Sequence, residues 1–184
     1  MLVVVLAVAL AGGALVASAV GWPAPPADGL RPADVAFVDA LVPEHEQTRS
    51  SLASVAGRVT DPELAVLVAA IGATQADELT TLRAWRGTAA VTGVEADDAP
   101  AHGHTATTAE PTDGLDAPPG ADLDTAVALL LVAQQQTAGE LARTRLEEGG
   151  DDEVGAFAQR VADSRTAQVA QLLRLLERLD ARAP

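Results

Sequence analysis

Apolar residues recur along this chain at alternating intervals of four and three, the period of a helix face turned toward a core. The clearest stripe runs Leu64, Val68, Ile71, Gln75, Glu78, Leu82, Trp85, and another runs Val154, Ala158, Val161, Arg165, Gln168, Leu172, Leu175. A third passes Leu41, His45, Thr48, Leu52 and Val55, with Glu44 beside it; Gln134 and Gln135 hold the matching places in a fourth segment. Helices are predicted over about Asp34 to Arg58, Asp61 to Arg86 and Asp122 to Glu148, with a fourth running from a cap at Asp151 to about Ala181. Thr60-Asp61-Pro62-Glu63 offers a capping box with proline in the first turn, and Gly149-Gly150 ends the third helix. Residues 87–121 are rich in Gly, Pro, Thr, Asp and Ala, lack an apolar period, and read as a flexible linker.

The two halves share a register. Asp34, Leu41, Val42, Asp61, Glu63 and Leu82 recur ninety residues later as Asp124, Leu131, Val132, Asp151, Glu153 and Leu172. Two short-looped hairpins, 34–86 and 122–181, bury their stripes best against each other. The expected fold is therefore all-α, an antiparallel four-helix bundle over 34–184 with one long crossover.

Polar residues interrupt every stripe at one height. His45 and Gln75 stand about fourteen residues from the first turn, and Gln135 and Arg165 about as far from the second, roughly 21 Å at the helical rise. One polar layer is predicted from Glu44, His45, Gln75, Glu78, Gln134, Gln135, Arg165 and Gln168. Three readings of it remain open: a register-fixing device, a ligand or metal site, or side chains turned to solvent on a rotated helix. Arg165 cannot ligate a metal, but beside Glu78 or Glu44 it would supply the cation that a buried carboxylate requires.

Upstream, residues 1–20 are uncharged and almost wholly apolar, long enough to cross a bilayer as a helix. Ala17-Ser18-Ala19 has the form of a signal-peptidase site, so the segment is expected to be either a cleaved signal peptide or a retained anchor, followed by a Pro-rich spacer over 21–33. Both readings place the body outside the cytoplasm.

Composition narrows the function classes. Aromatics make up only 2% of the chain, so its core must be built from Ala, Val and Leu, side chains suited to close-packed helices. A net charge of −14, with Arg as the basic residue throughout, repels phosphate backbones and argues against nucleic-acid binding. Absence of Cys excludes disulfides and thiolate chemistry. No phosphate-binding glycine loop, nucleophile elbow, zinc-type helix motif or Glu-x-x-His pair is present. Ser50, Ser51 and Ser54 do not share a helical face with His45.

The residues Phe37, Leu41-Val42-Pro43, Glu44-His45-Glu46-Gln47, Gln75, Glu78 and Leu82-Arg83-Ala84-Trp85, echoed by Leu131-Val132-Ala133, Gln134-Gln135, Arg165, Gln168 and Leu172, carry a family resemblance. The chain resembles the bacterial domain of unknown function 305, a ferritin-like helical bundle, over about Asp34 to Arg86 and Asp124 to Leu179. The resemblance implies an exported protein and, for some members, copper or other metals held through His and Met. Against the family's two His-His pairs, Glu44, Gln134 and Gln135 stand at three of the four places, and the sole Met is Met1. The soft thioether ligands that select reduced copper are therefore gone. The expected function is a non-catalytic, exported or membrane-tethered scaffold or interaction module with a degraded metal site and an unidentified protein partner. The alternative is weak binding of a divalent metal such as copper by Glu44, His45 and Glu78, assisted by His102 and His104 in the linker.

Overall fold

The computed structural model describes residues 29–92, 114–149 and 153–181, and within them all regular structure is helical: α1 (Pro32–Val55), α2 (Pro62–Thr92), α3 (Ala121–Glu147) and α4 (Glu153–Asp180). The leader 1–20, spacer residues 21–28, His102, His104 and the cap expected at Asp151 lie outside the described residues. Among the described residues no helix is long and apolar enough to cross a membrane.

Helix boundaries follow local chemistry. Pro32 opens α1, and the Asp34 carboxylate accepts the Arg31 backbone N–H at 2.9 Å. The helix stops at Val55, short of the expected Arg58, because Gly57 takes a left-handed conformation with φ +73°. Asp61, rather than Thr60, caps α2: its Oδ1 accepts the backbone N–H groups of Glu63 (3.0 Å) and Leu64 (3.1 Å). Thr60 is drawn instead to Asp124, and Glu63 to Arg178. At its far end α2 continues past Arg86 to Thr92. Ala89 extends the buried stripe of Leu82 and Trp85, and this packing outweighs the weak propensities of Gly87 and Thr88. The expected linker thus begins helical, and it also ends ordered. Leu115 and Ala117 pack on the core, and Arg58 Nη2 donates to the Ala117 carbonyl at 2.6 Å.

Neighbouring helices run antiparallel. The start of α3 meets the α1–α2 turn, where Asp124 accepts from Thr60 N (2.9 Å), Thr60 Oγ1 (2.7 Å) and Asp61 N (2.8 Å). At the opposite end, Asp34 of α1 accepts from Arg145 Nε of α3 at 2.7 Å. Arg178, in the last turns of α4, donates to Asp61 at the start of α2 (2.8 and 3.1 Å). This guanidinium holds the Asp61 carboxyl down at about 2. Such contacts place α1 beside α2 and α3, and α4 beside α3 and α2, the arrangement of a four-helix bundle. The closest approach is between α3 and α4. Small residues allow it: a Cβ added at Gly139 would meet the Arg165 Cβ at 3.3 Å.

The apolar interior forms two clusters. One contains Phe37, Val38, Leu41, Leu82, Trp85, Val154, Phe157 and Val161; the other Leu52, Val55, Leu64, Ile71, Leu123, Val127, Leu131, Leu172 and Leu175. Phe157 contacts Trp85 and Phe37 edge to face, with centroids 5.1 and 6.3 Å away.

Candidate functional site

What separates the two apolar clusters is a slab of polar side chains. His45 and Thr48 come from α1, Gln75 and Glu78 from α2, Gln134 and Gln135 from α3, and Arg165 and Gln168 from α4; each is at most 4% exposed. Every helix contributes at the positions where a 4-3 stripe would otherwise carry Leu or Val. Glu44 is the exception in degree, standing half-buried at the rim because it lies about 100° round α1 from His45.

At the centre is an ion-pair cluster drawn from three helices. Arg165 Nη2 donates to Glu78 Oε2, and the same oxygen stands 2.6 Å from His45 Nε2. Arg165 also donates through Nη1 to Gln168 Oε1 (3.2 Å) and Ser164 Oγ (3.4 Å). With His45 neutral, the carboxylate and guanidinium cancel, as a site sealed from water demands.

The His45 tautomer follows from its neighbours. Nε2 faces a carboxylate oxygen, so it carries the proton and donates; Arg165 Nη2, 3.4 Å away, is then a neighbouring donor and not a bonded partner. Nδ1 is left as a buried acceptor with no partner among the described residues. Protonating it would bury an N–H without an acceptor and add a cation beside Arg165. Burial accordingly lowers the His45 pKa below its ordinary 6.5, against the upward pull of Glu78 and with help from Arg165. Burial alone would raise the Glu78 carboxyl, but the Arg165 guanidinium and the His45 hydrogen bond outweigh it and hold the group below 4.5.

A pH dependence follows. Below pH 6.5 the unfolded chain binds a proton at His45 that the folded chain refuses, so stability is full above 6.5 and falls as pH drops through that value. Denaturant melts of the parent and His45→Gln from about pH 7.5 to 5 should show the parent losing stability more steeply, the variant having nothing to titrate at that position. Parallel curves would remove the assignment of a neutral His45.

Within the layer the residues expected from the sequence are placed as follows. His45, Glu78, Arg165 and Gln168 are linked by hydrogen bonds. Gln75 and Gln135 are buried, with no partner on either amide atom among the described residues. Glu44 stands half-buried one residue before His45, and His102 and His104 lie outside the described residues. Among the described residues no three His, Cys, Asp or Glu side chains converge so as to hold a metal ion.

Sequence reasoning missed a second buried ion pair. Asp34 (2% exposed) and Arg145 (1% exposed) join α1 to α3, and Arg145 Nη1 also donates to the Gly149 carbonyl at 3.0 Å. The signal available was the repeat itself. Asp34 and Asp124 are equivalent, and each turns its carboxylate on the far hairpin's connection, Asp34 through Arg145 and Asp124 through backbone N–H groups.

No curated protein and no solved structure matches this chain. The family model described as a domain of unknown function, DUF305, matches residues 34–176, from the first turn of α1 nearly to the end of α4. The bundle with its polar slab is therefore a DUF305 domain, and the chain belongs to that family.

Proposed function

We propose that this protein is a non-catalytic helical scaffold of ferritin-like form, displayed outside the cytoplasmic membrane, in which the central polar layer serves helix register in place of metal binding. The observation that carries this reading is the Arg165–Glu78–His45 cluster. Where a metal ion would neutralise an inward-facing carboxylate and imidazole, a guanidinium from α4 already does so. Glu78 Oε2 is committed to Arg165 and His45, and the fixed positive charge of Arg165 repels a second cation. Glu44, the third ligand of the metal reading, is at the rim. The residues present therefore fit a resident divalent ion poorly.

A buried ionic layer contributes little net stability compared with an apolar one, and its use is to penalise misaligned packings. Sliding one helix by a turn would put Arg165 or Glu78 against leucine and orphan its partner. The two repeated hairpins make such alternatives close in energy, so a device that discriminates among them has a purpose. Residues 1–20 would secrete or tether this body, and its acidic surface suits contacts with proteins over nucleic acid.

The test is calorimetric titration of the full chain with copper and zinc, beside His45→Ala. Heats at the level of buffer are expected for both metals. Saturable binding that His45→Ala abolishes would overturn the scaffold reading in favour of a metal-binding one. Mass spectrometry of the native amino terminus decides between a tether and a cleaved leader.

A further inference from the structure

The hairpins α1–α2 and α3–α4 turn nearly the same apolar face toward each other. Leu41, Leu64, Ile71 and Leu82 of the first recur ninety residues later as Leu131, Val154, Val161 and Leu172 of the second, and all of them are buried. On apolar shape alone, each hairpin could dock on a copy of itself as readily as on its neighbour.

The charges that cross this interface are not repeated. Asp34, Asp61 and Glu78, all of the first hairpin, take guanidiniums from the second. Arg145 Nε donates to Asp34 at 2.7 Å, Arg178 to Asp61 at 2.8 and 3.1 Å, and Arg165 Nη2 to Glu78. Ninety residues before these arginines stand Val55, Gln75 and Thr88, none of them cationic, and ninety after Glu78 stands Gln168. Two first hairpins face to face would therefore seal two Glu78 carboxylates in the polar layer with no guanidinium there. Two second hairpins would seal two Arg165 guanidiniums among Gln134, Gln135 and Gln168, with no carboxylate. A desolvated charge without a counter-charge is the costliest arrangement an interior can hold.

We propose that the face between the hairpins is a selective docking surface: each hairpin accepts the unlike hairpin of this protein as its partner and rejects a copy of itself. The apolar stripes supply the attraction, and the unrepeated charges supply the discrimination. Rejection is uneven. Between first hairpins Asp34 and Asp61 would add to the cost of Glu78, whereas between second hairpins the repeat offers Asp124 to Arg145 and Asp151 to Arg178, which leaves Arg165 to act alone. This inference rests on the register reading of the layer and adds the partner that the layer selects.

A recognition site for a sequence-specific protease, inserted within residues 93–113, lets the folded full chain be cut between its hairpins. The cut protein is unfolded in urea and refolded in metal-free buffer, and native mass spectrometry then resolves the three pairings by mass. Unlike pairs should return, with like pairs at least about tenfold below the share that random pairing gives. Two variants should relax this choice from opposite directions. Glu78→Gln with Arg165→Gln removes both charges from the layer, and Gln75→Arg with Gln168→Glu gives each hairpin one charge of each sign. Either should raise the like-pair share at least about tenfold over the parent, and either one decides the matter if the other does not refold. Like pairs at the random share in the parent, hairpins that do not recombine, or like pairs excluded in the variants as strictly as in the parent would each overturn the assignment. Metal titration of the uncut chain asks what the layer holds, and pairing in the cut chain asks which hairpins it admits, so the scaffold reading and this one fail separately.

Discussion

Replacing Arg165 with alanine should destabilise the bundle by about 3–5 kcal/mol at neutral pH, lowering its thermal midpoint by roughly 10 °C. The guanidinium is 1% exposed and is, among the described residues, the only cation bonded to Glu78, itself 2% exposed. Without it a carboxylate remains in the interior with only a neutral imidazole and must protonate or draw water inward. The pH dependence separates this cause from simple loss of packing. In the parent the Glu78 carboxyl is held below 4.5, so its contribution is complete above that value and is lost as pH falls through the lowered folded pKa. In the variant burial is opposed only by the His45 hydrogen bond and raises the group, which reverses the sign: the carboxyl then disfavours folding as pH rises. The difference between parent and variant should therefore be greatest near neutrality and shrink in acid. A cavity would cost the same at every pH. Adding Glu78→Gln to the Arg165→Ala background should restore part of the loss, because the orphaned charge is gone. An Arg165→Ala melt coincident with the parent's would remove the cluster from the account.

How far the sequence alone reaches can be judged from this same cluster. The level of the layer was legible because helical rise is constant: residues equally far from their turns must stand at equal heights. Arg165 and Gln168 fall in the stripe of α4, Gln75 and Glu78 in that of α2, and all four are buried. The partner of Arg165 was not legible. Glu44 and Glu78 were equally available by height, and the choice depends on rotation about the helix axis, which places His45 inward and Glu44 at the rim. One residue's offset decides it, about 100°, and spacing along a stripe does not resolve that angle.

Boundaries failed for a related reason. Local propensity ended α2 at Arg86, before Gly87, whereas burial of Ala89 against the Trp85 end of the core carries the helix to Thr92. The cap of α2 was assigned to Thr60 on local pattern, yet Thr60 bonds a carboxylate 64 residues away. In each case a tertiary contact overrides a local preference worth less than ~1 kcal/mol. Periodicity, which sums many small burial terms, survives such competition; single-residue signals do not. The all-helical architecture was therefore readable, and the pairing among the residues that tie the hairpins together was not.

Asp34→Ala should prove nearly as costly as loss of Arg165, about 3 kcal/mol, although Asp34 lies a full apolar cluster away from the polar layer. Its two oxygens do separate work. One accepts from Arg145 Nε at 2.7 Å across the α1–α3 interface, and the other accepts from the Arg31 backbone N–H at 2.9 Å and from Arg31 Nε at 3.3 Å. Truncation removes a counter-charge from a cation that is 1% exposed and takes the Asp34 carboxylate from the first turn of α1. Asp34→Asn discriminates between these effects. The amide oxygen can still accept from one donor, but the charge is lost, so asparagine should recover the smaller, helix-start part and leave most of the deficit. The equivalent change in the other hairpin, Asp124→Asn, should cost less, because Asp124 accepts from backbone N–H groups and the Thr60 hydroxyl and is bonded to no guanidinium among the described residues. Urea melts of the three variants at neutral pH order them directly. If Asp124→Asn proved the more damaging asparagine substitution, charge pairing at Arg145 would not be what holds that end of the bundle closed, and cohesion there would have to be assigned to Phe37, Phe157 and Trp85 instead.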